Sequence, residues 1–116
     1  MKEWGWGWIK WLNNVFKTIR QIYPDTVTVL TSGDATPTVK DKYVFKTAGT
    51  TAITDFDDGV IGQTIYILAT ASITITDGAP IILNGSANYT MTDTDTLTLT
   101  MFNDQIWNEV SRMVNL

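Results

Sequence analysis

Aspartate supplies most of the reactive chemistry in this 116-residue sequence, and it gathers in one run, Asp55-Phe56-Asp57-Asp58-Gly59. Calcium takes about six to eight oxygen ligands from a loop with alternating donors and a closing acid. This run lacks both the alternation and the closing acid, so its carboxylates are expected to cap backbone amides in a turn and to hold no metal. Asp93 and Asp95, on either side of Thr94, read as turn chemistry too. Two carboxylates suffice for glycoside hydrolysis, but the pairs available here lie in tight turns without a long loop to wall a cleft. Ser32, Ser72, Ser86 and Ser111 have no imidazole to activate them, and Gly33, Gly49, Gly59 and Gly62 form no phosphate cradle. The sequence has no Cys and no His. That removes disulfides, thiolate sites, imidazole-based triads and a histidine pH switch. No catalytic residue, metal or cofactor is expected. Trp107 and Tyr89 have the rings to stack on a sugar, but the spacing of Trp107 in the last strand favours the core. Asn88-Tyr89-Thr90 is a glycosylation sequon of low specificity in so threonine-rich a chain.

The elements that would position these residues are strands. Threonine fills 20 of the 116 positions, and a β-branched residue with one polar arm suits a pleated, half-buried surface. A hydrophobic fraction of 44% against 17% charged residues supports one packed domain. From Thr26 onward, turn signals recur about every 8–12 residues, the rhythm of a sandwich or barrel. The expected strands are Thr26–Thr31, Tyr43–Thr47, Ala52–Thr54, Thr64–Ala69, Ser72–Thr76, Ile81–Leu83, Asn88–Thr92, Thr96–Phe102 and Gln105–Arg112. Asp58-Gly59, Asp77-Gly78 and Asn84-Gly85 supply the positive φ of tight turns, so the last five strands read as an antiparallel meander. Ile53-Thr54-Asp55 and Ile75-Thr76-Asp77 repeat one another and suggest two similar corners.

The first 24 residues follow another period. Trp4, Trp8, Trp11, Leu12, Val15, Phe16, Ile19, Ile22 and Tyr23 share one arc of a helical wheel, with Lys10, Asn13, Asn14, Lys17, Arg20 and Gln21 opposite. The spacing predicts a helix over about 8–22, closed by Pro24, ahead of an all-β domain over 25–116. Charge divides the same way. Residues 1–23 carry four cations against Glu3, a net +3, and residues 24–116 carry four cations against eleven acids, a net −7; together they give −4. A body this acidic mismatches a phosphate backbone, so no nucleic-acid partner is expected. The helix lacks the uninterrupted apolar stretch of a signal peptide or membrane span. Three readings of its stripe stand open: packing on its own sheet or on copies of itself, a self-association stem, and a helix lying on a membrane surface, the last least favoured.

The order of the β motifs is familiar. Thr36-Pro37-Thr38-Val39-Lys40 is followed by Tyr43-Val44-Phe45-Lys46-Thr47, the Asp-Phe-Asp-Asp-Gly run and Gly62-Gln63-Thr64-Ile65. Ile73-Thr74-Ile75-Thr76-Asp77-Gly78, Ile82-Leu83-Asn84-Gly85-Ser86 and the closing Trp107-Asn108-Glu109-Val110-Ser111-Arg112 come after. From about Val27 to Arg112 this resembles a small all-β module of bacteriophage and prophage virion appendages, of tail-fibre, tailspike or head-fibre type. The resemblance implies a mainly β, antiparallel sandwich, jelly-roll-like domain or barrel that assembles as a homotrimer, joins other virion proteins and carries no catalytic motif. The long shaft usual in such proteins gives way here to a short amphipathic helix. The expected function is a non-enzymatic structural protein of the virion, made in the host cytoplasm. Trp4, Trp8, Trp11, Leu12, Val15, Phe16, Ile19 and Ile22 form its oligomerisation or attachment face. A module binding a host-surface glycan or protein, and a membrane-surface protein, are the alternatives.

Overall fold

The computed structural model describes residues 7–15 and 26–116. Residues 7–15 form helix α1, within the stretch its apolar spacing predicts; Trp4, Phe16, Ile19 and Ile22 of the expected face lie outside the described residues. Eight strands follow: β1 (Thr28–Val29), β2 (Val44–Lys46), β3 (Thr64–Leu68), β4 (Ile73–Ile75), β5 (Ile81–Ile82), β6 (Tyr89–Met91), β7 (Thr96–Asn103) and β8 (Ile106–Met113). They make a six-stranded sheet in the order β1-β2-β3-β7-β8-β5 and a two-stranded sheet, β4-β6.

The threonine-rich alternation explains why the two sheets stack. In β3 Ile65 and Ile67 are buried while Tyr66 faces out, and in β7 Leu97, Leu99 and Met101 alternate with half-buried threonines. These inward rows join Phe45 and Trp107 from the large sheet and Ile73, Ile75, Tyr89 and Met91 from the small one in a single buried cluster. The outward threonines pair across the strands, as in the Oγ1 contacts of Thr64 with Thr100 at 2.8 Å and Thr74 with Thr90 at 3.1 Å.

The connections differ from the expected meander. Among the last five strands only β7 and β8 form a hairpin between sequence neighbours. β4 pairs with β6, and β5 between them leaves to pair in parallel with β8. The Asp77-Gly78 turn explains the departure, because its donors and acceptors are spent sideways. Asp77 Oδ1 accepts the Leu83 amide at 2.8 Å, Asn88 Oδ1 accepts the Asp77 amide at 2.8 Å, and Gly78 donates to the Ile81 carbonyl at 2.7 Å. β1–β2 and β2–β3 are parallel as well. The expected strand Ala52–Thr54 shrinks to a bridge at Ile53, which pairs in parallel with Ile75. The two Ile-Thr-Asp repeats therefore lie side by side, Ile53 donating to Thr74 and accepting from Thr76, both at 2.9 Å.

Candidate functional site

The Asp55–Gly59 run is a corner built for packing. Asp55 Oδ1 accepts the Phe56 amide at 2.7 Å, and Asp58 Oδ2 accepts the Thr38 hydroxyl at 2.5 Å. Burial pushes the Asp55 carboxyl above its ordinary range, the Phe56 amide opposes this, and the charge of Asp57 adds to it. Among the described residues no three acids are grouped so as to hold a metal ion. The positive φ falls on Asp58, at 67°, rather than on Gly59. Gly59 is needed for another reason: a Cβ there would collide with the Trp107 ring and stand 2.8 Å from the Met101 methyl.

Trp107 is completely buried, as the spacing of the last strand implies. Its ring meets Phe56 edge-on at 6.2 Å between centroids, and its indole N–H donates to the Phe56 carbonyl at 3.3 Å. Gln63 is the polar counterpart. Nearly buried, it donates from Nε2 to the carbonyls of Val39 at 2.8 Å and Lys42 at 2.9 Å, and its Oε1 accepts the Val60 amide at 3.1 Å. Those bonds staple two loops to the start of β3, a role nothing in the sequence pattern marks beyond a Gln between a turn and a strand.

The closing Glu109-Val110-Ser111-Arg112 stretch holds a second linkage. Leu99 opposes Glu109 but Thr98 opposes Ser111, so Val110 is an extra residue in a β-bulge. The bulge shifts the alternation and brings Glu109 and Arg112, three apart, to the same side. Arg112 grips Glu109 through Nε at 2.6 Å and Nη2 at 2.7 Å, while the same carboxylate accepts the Asn84 amide at 2.8 Å. Arg112 also lies 3.8 Å over the Tyr89 ring. The Arg112 guanidinium holds Glu109 below the usual carboxylate range, helped by Asn84 and opposed by burial, and Glu109 in turn raises Arg112. Tyr89 itself is buried, and its hydroxyl has no hydrogen bond of normal geometry among the described residues. Burial raises its pKa, with the nearby charge of Asp95 adding to the effect.

Asp95 anchors the C-terminus. It accepts the Thr92 amide at 2.9 Å, the Thr92 hydroxyl at 3.1 Å and the Asn115 amide at 2.7 Å. The two backbone donors, Thr92 first, hold its carboxyl below the ordinary range. Its neighbours cover it almost completely, yet it sits at the periphery of the fold. Asp55, Asp58, Glu109 and Arg112 of the Asp-Phe-Asp-Asp-Gly and closing motifs are thus engaged in shape.

The structure also leaves apolar surface open. On α1, Trp8 and Trp11 are 56% and 60% exposed, and Leu12 and Val15 are half-buried. On the large sheet the outward side carries Val29, Val44, Tyr66, Leu68 and Met113 among threonines, with Lys46 as its one cation in β1–β3. A shallow depression of about 280 Å³ opens there between Val44, Tyr66, Leu68, Thr96 and Thr98. No helix among the described residues is long and apolar enough to cross a membrane.

Residues 21–108 match the family of the phage depolymerase C-terminal beta sandwich domain. The chain belongs to that family. Membership agrees with the observed two-sheet architecture and places the protein among the all-β modules of phage tail appendages. No curated protein and no solved structure matches the chain. As a depolymerase C-terminal sandwich, it keeps the Asp-Phe-Asp-Asp-Gly corner and the first three residues of β8 within the matched span, while α1 lies ahead of it.

Proposed function

We infer that this protein is a non-enzymatic structural module of a phage appendage, a homotrimer whose N-terminal helix takes part in assembly or attachment to other virion proteins. The observation that carries the reading is the division between engaged polar groups and idle apolar ones. Asp55, Asp58, Gln63, Asp95, Glu109 and Arg112 are all spent on holding turns and strand ends. Trp8 and Trp11 are more than half exposed and are large enough to need cover. A helix this short is marginal alone in water, so its apolar face requires a partner surface. Virion localisation follows from the family, and synthesis in the host cytoplasm goes with it.

Native mass spectrometry of the full chain at micromolar concentration tests the reading. A three-chain mass supports it, and a single-chain mass overturns it. A host-surface receptor role is the second reading, favoured by the half-exposed Tyr66 beside Thr96 and Thr98, where a sugar ring has a flat platform. Binding of host-surface polysaccharide that is lost in Tyr66→Ala is its test.

A further inference from the structure

One end of the large sheet collects apolar side chains that the sandwich does not bury. β1, β2 and β3 run in parallel and β7 runs against them, so the starts of the first three and the finish of β7 share one end. Val27, Tyr43, Val60, Ile61 and Phe102 lie there, exposed by 50, 36, 65, 62 and 63%. Backbone bonds hold the row together. Tyr66 donates to the Tyr43 carbonyl at 2.8 Å, and Gly62 donates to the Met101 carbonyl at 2.8 Å, setting Ile61 beside Phe102. A hollow of about 300 Å³ between Tyr43, Val60 and Ile61 is rimmed by Asp41 and Asp58. Asp104, in the β7–β8 turn, adds a third exposed acid, and Lys40 and Lys42 are the cations that flank Asp41.

We propose that this acid-rimmed apolar end seats the N-terminal helix of a second copy of the chain. The occupant is argued from complementarity. The helix brings Trp8, Trp11, Leu12 and Val15 on one side, with Lys10 on the opposite side, in a segment of net charge +3, to a body of net charge −7. Both surfaces stand uncovered in the same molecule, since Trp11 and Ile61 are each about three-fifths exposed. A chain that carries two matching surfaces, neither satisfied by itself, joins copies head to tail, and such contacts close into a ring when the rotation permits. The proposal rests on the helix-mediated assembly inferred above and names what the helix face meets. Its partner is a neighbouring sandwich rather than a neighbouring helix.

The absence of cysteine makes a clean test available. Full-length Val15→Cys and full-length Ile61→Cys chains are mixed, dissociated, reassembled and oxidised, with Phe102→Cys as a second body position and Ser72→Cys, beyond the other end of β3, as control. The expected result is a covalent pair of one helix variant with one Ile61 or Phe102 variant, and no pair with Ser72→Cys. Circular dichroism checks that each variant keeps its strands. In parallel, Ile61→Asp with Phe102→Asp weakens association about 30-fold or more, because it sets charge into the apolar contact. Covalent pairs of Val15→Cys with itself alone overturn the proposal while leaving an oligomer intact. A single-chain mass for the unmodified protein overturns the proposal together with the assembly reading beneath it.

Discussion

Helix α1 and the sandwich behind it use aromatic side chains in opposite ways. Trp107 is entirely enclosed, pressed on Phe56 and so close to Gly59 that no Cβ fits between them. Trp8 and Trp11 lie more than half open. The same residue type closes a core in one place and advertises a surface in the other, and the difference is topological. Strands from distant parts of the chain surround Trp107, whereas the described helical residues 7–15 leave Trp8 and Trp11 exposed. On the proposed reading the sandwich is a self-sufficient body and the helix a surface covered on assembly.

The largest effect is expected at the centre of the body. Trp107→Ala removes the ring that Phe56, Gly59 and Met101 pack around and should cost about 3–5 kcal/mol, a large part of a small domain's stability. Denaturant unfolding followed by strand circular dichroism measures it. Gly59→Ala strikes the same contact from the other side. Forcing a methyl against the indole should cost about 1–3 kcal/mol, and pairing it with the Trp107 truncation should recover part of that loss.

This pair also shows what could be read from the residues and what could not. The alternation at Ile65, Ile67, Leu97, Leu99 and Met101 placed the core of β3 and β7, and the position of Trp107 placed it inside. The shared arc of Trp8, Trp11, Leu12 and Val15 marked the helix. Gly59 was legible only as a turn glycine, because its real constraint comes from a ring 48 positions away in the sequence. Three-residue periodicity between Glu109 and Arg112 argues against a shared strand face, and only the bulge at Val110 supplies one. The parallel pairing of β5 with β8 hangs on bonds from Asp77 and Asn88, which look like ordinary turn residues in one dimension. Local pattern reports burial well; long-range hydrogen bonding decides the connections.

A smaller effect is expected where β8 ties down its surroundings. Glu109→Gln leaves Arg112 without its charged partner and should cost about 1–3 kcal/mol, measured by chemical denaturation at neutral pH. Acid acts on the same place. Glu109 and Asp95 both have folded pKa values below their ordinary ones, so their stabilisation is complete above the unfolded values. It drains away as pH falls below about 4, through the unfolded and then the folded pKa. Asp55 is shifted upward, so its contribution improves over the same range and blunts the slope. A melting series from pH 6 downward should show the loss, and Asp95→Asn should make the curve shallower.

The smallest effect on the sandwich is expected from the helix, and that is the sharpest contrast. Trp8→Asp with Trp11→Asp touches no side chain of the buried cluster, so the unfolding free energy of the body should change by no more than about 0.5 kcal/mol. Sedimentation equilibrium of this full-length double variant beside the unmodified chain, across a dilution series, tests the division most directly. The account predicts three-chain particles for the unmodified protein and single chains with intact strand signal for the variant. An unmodified chain that sediments as a monomer, or a variant that loses its sheet along with its helix face, would contradict it.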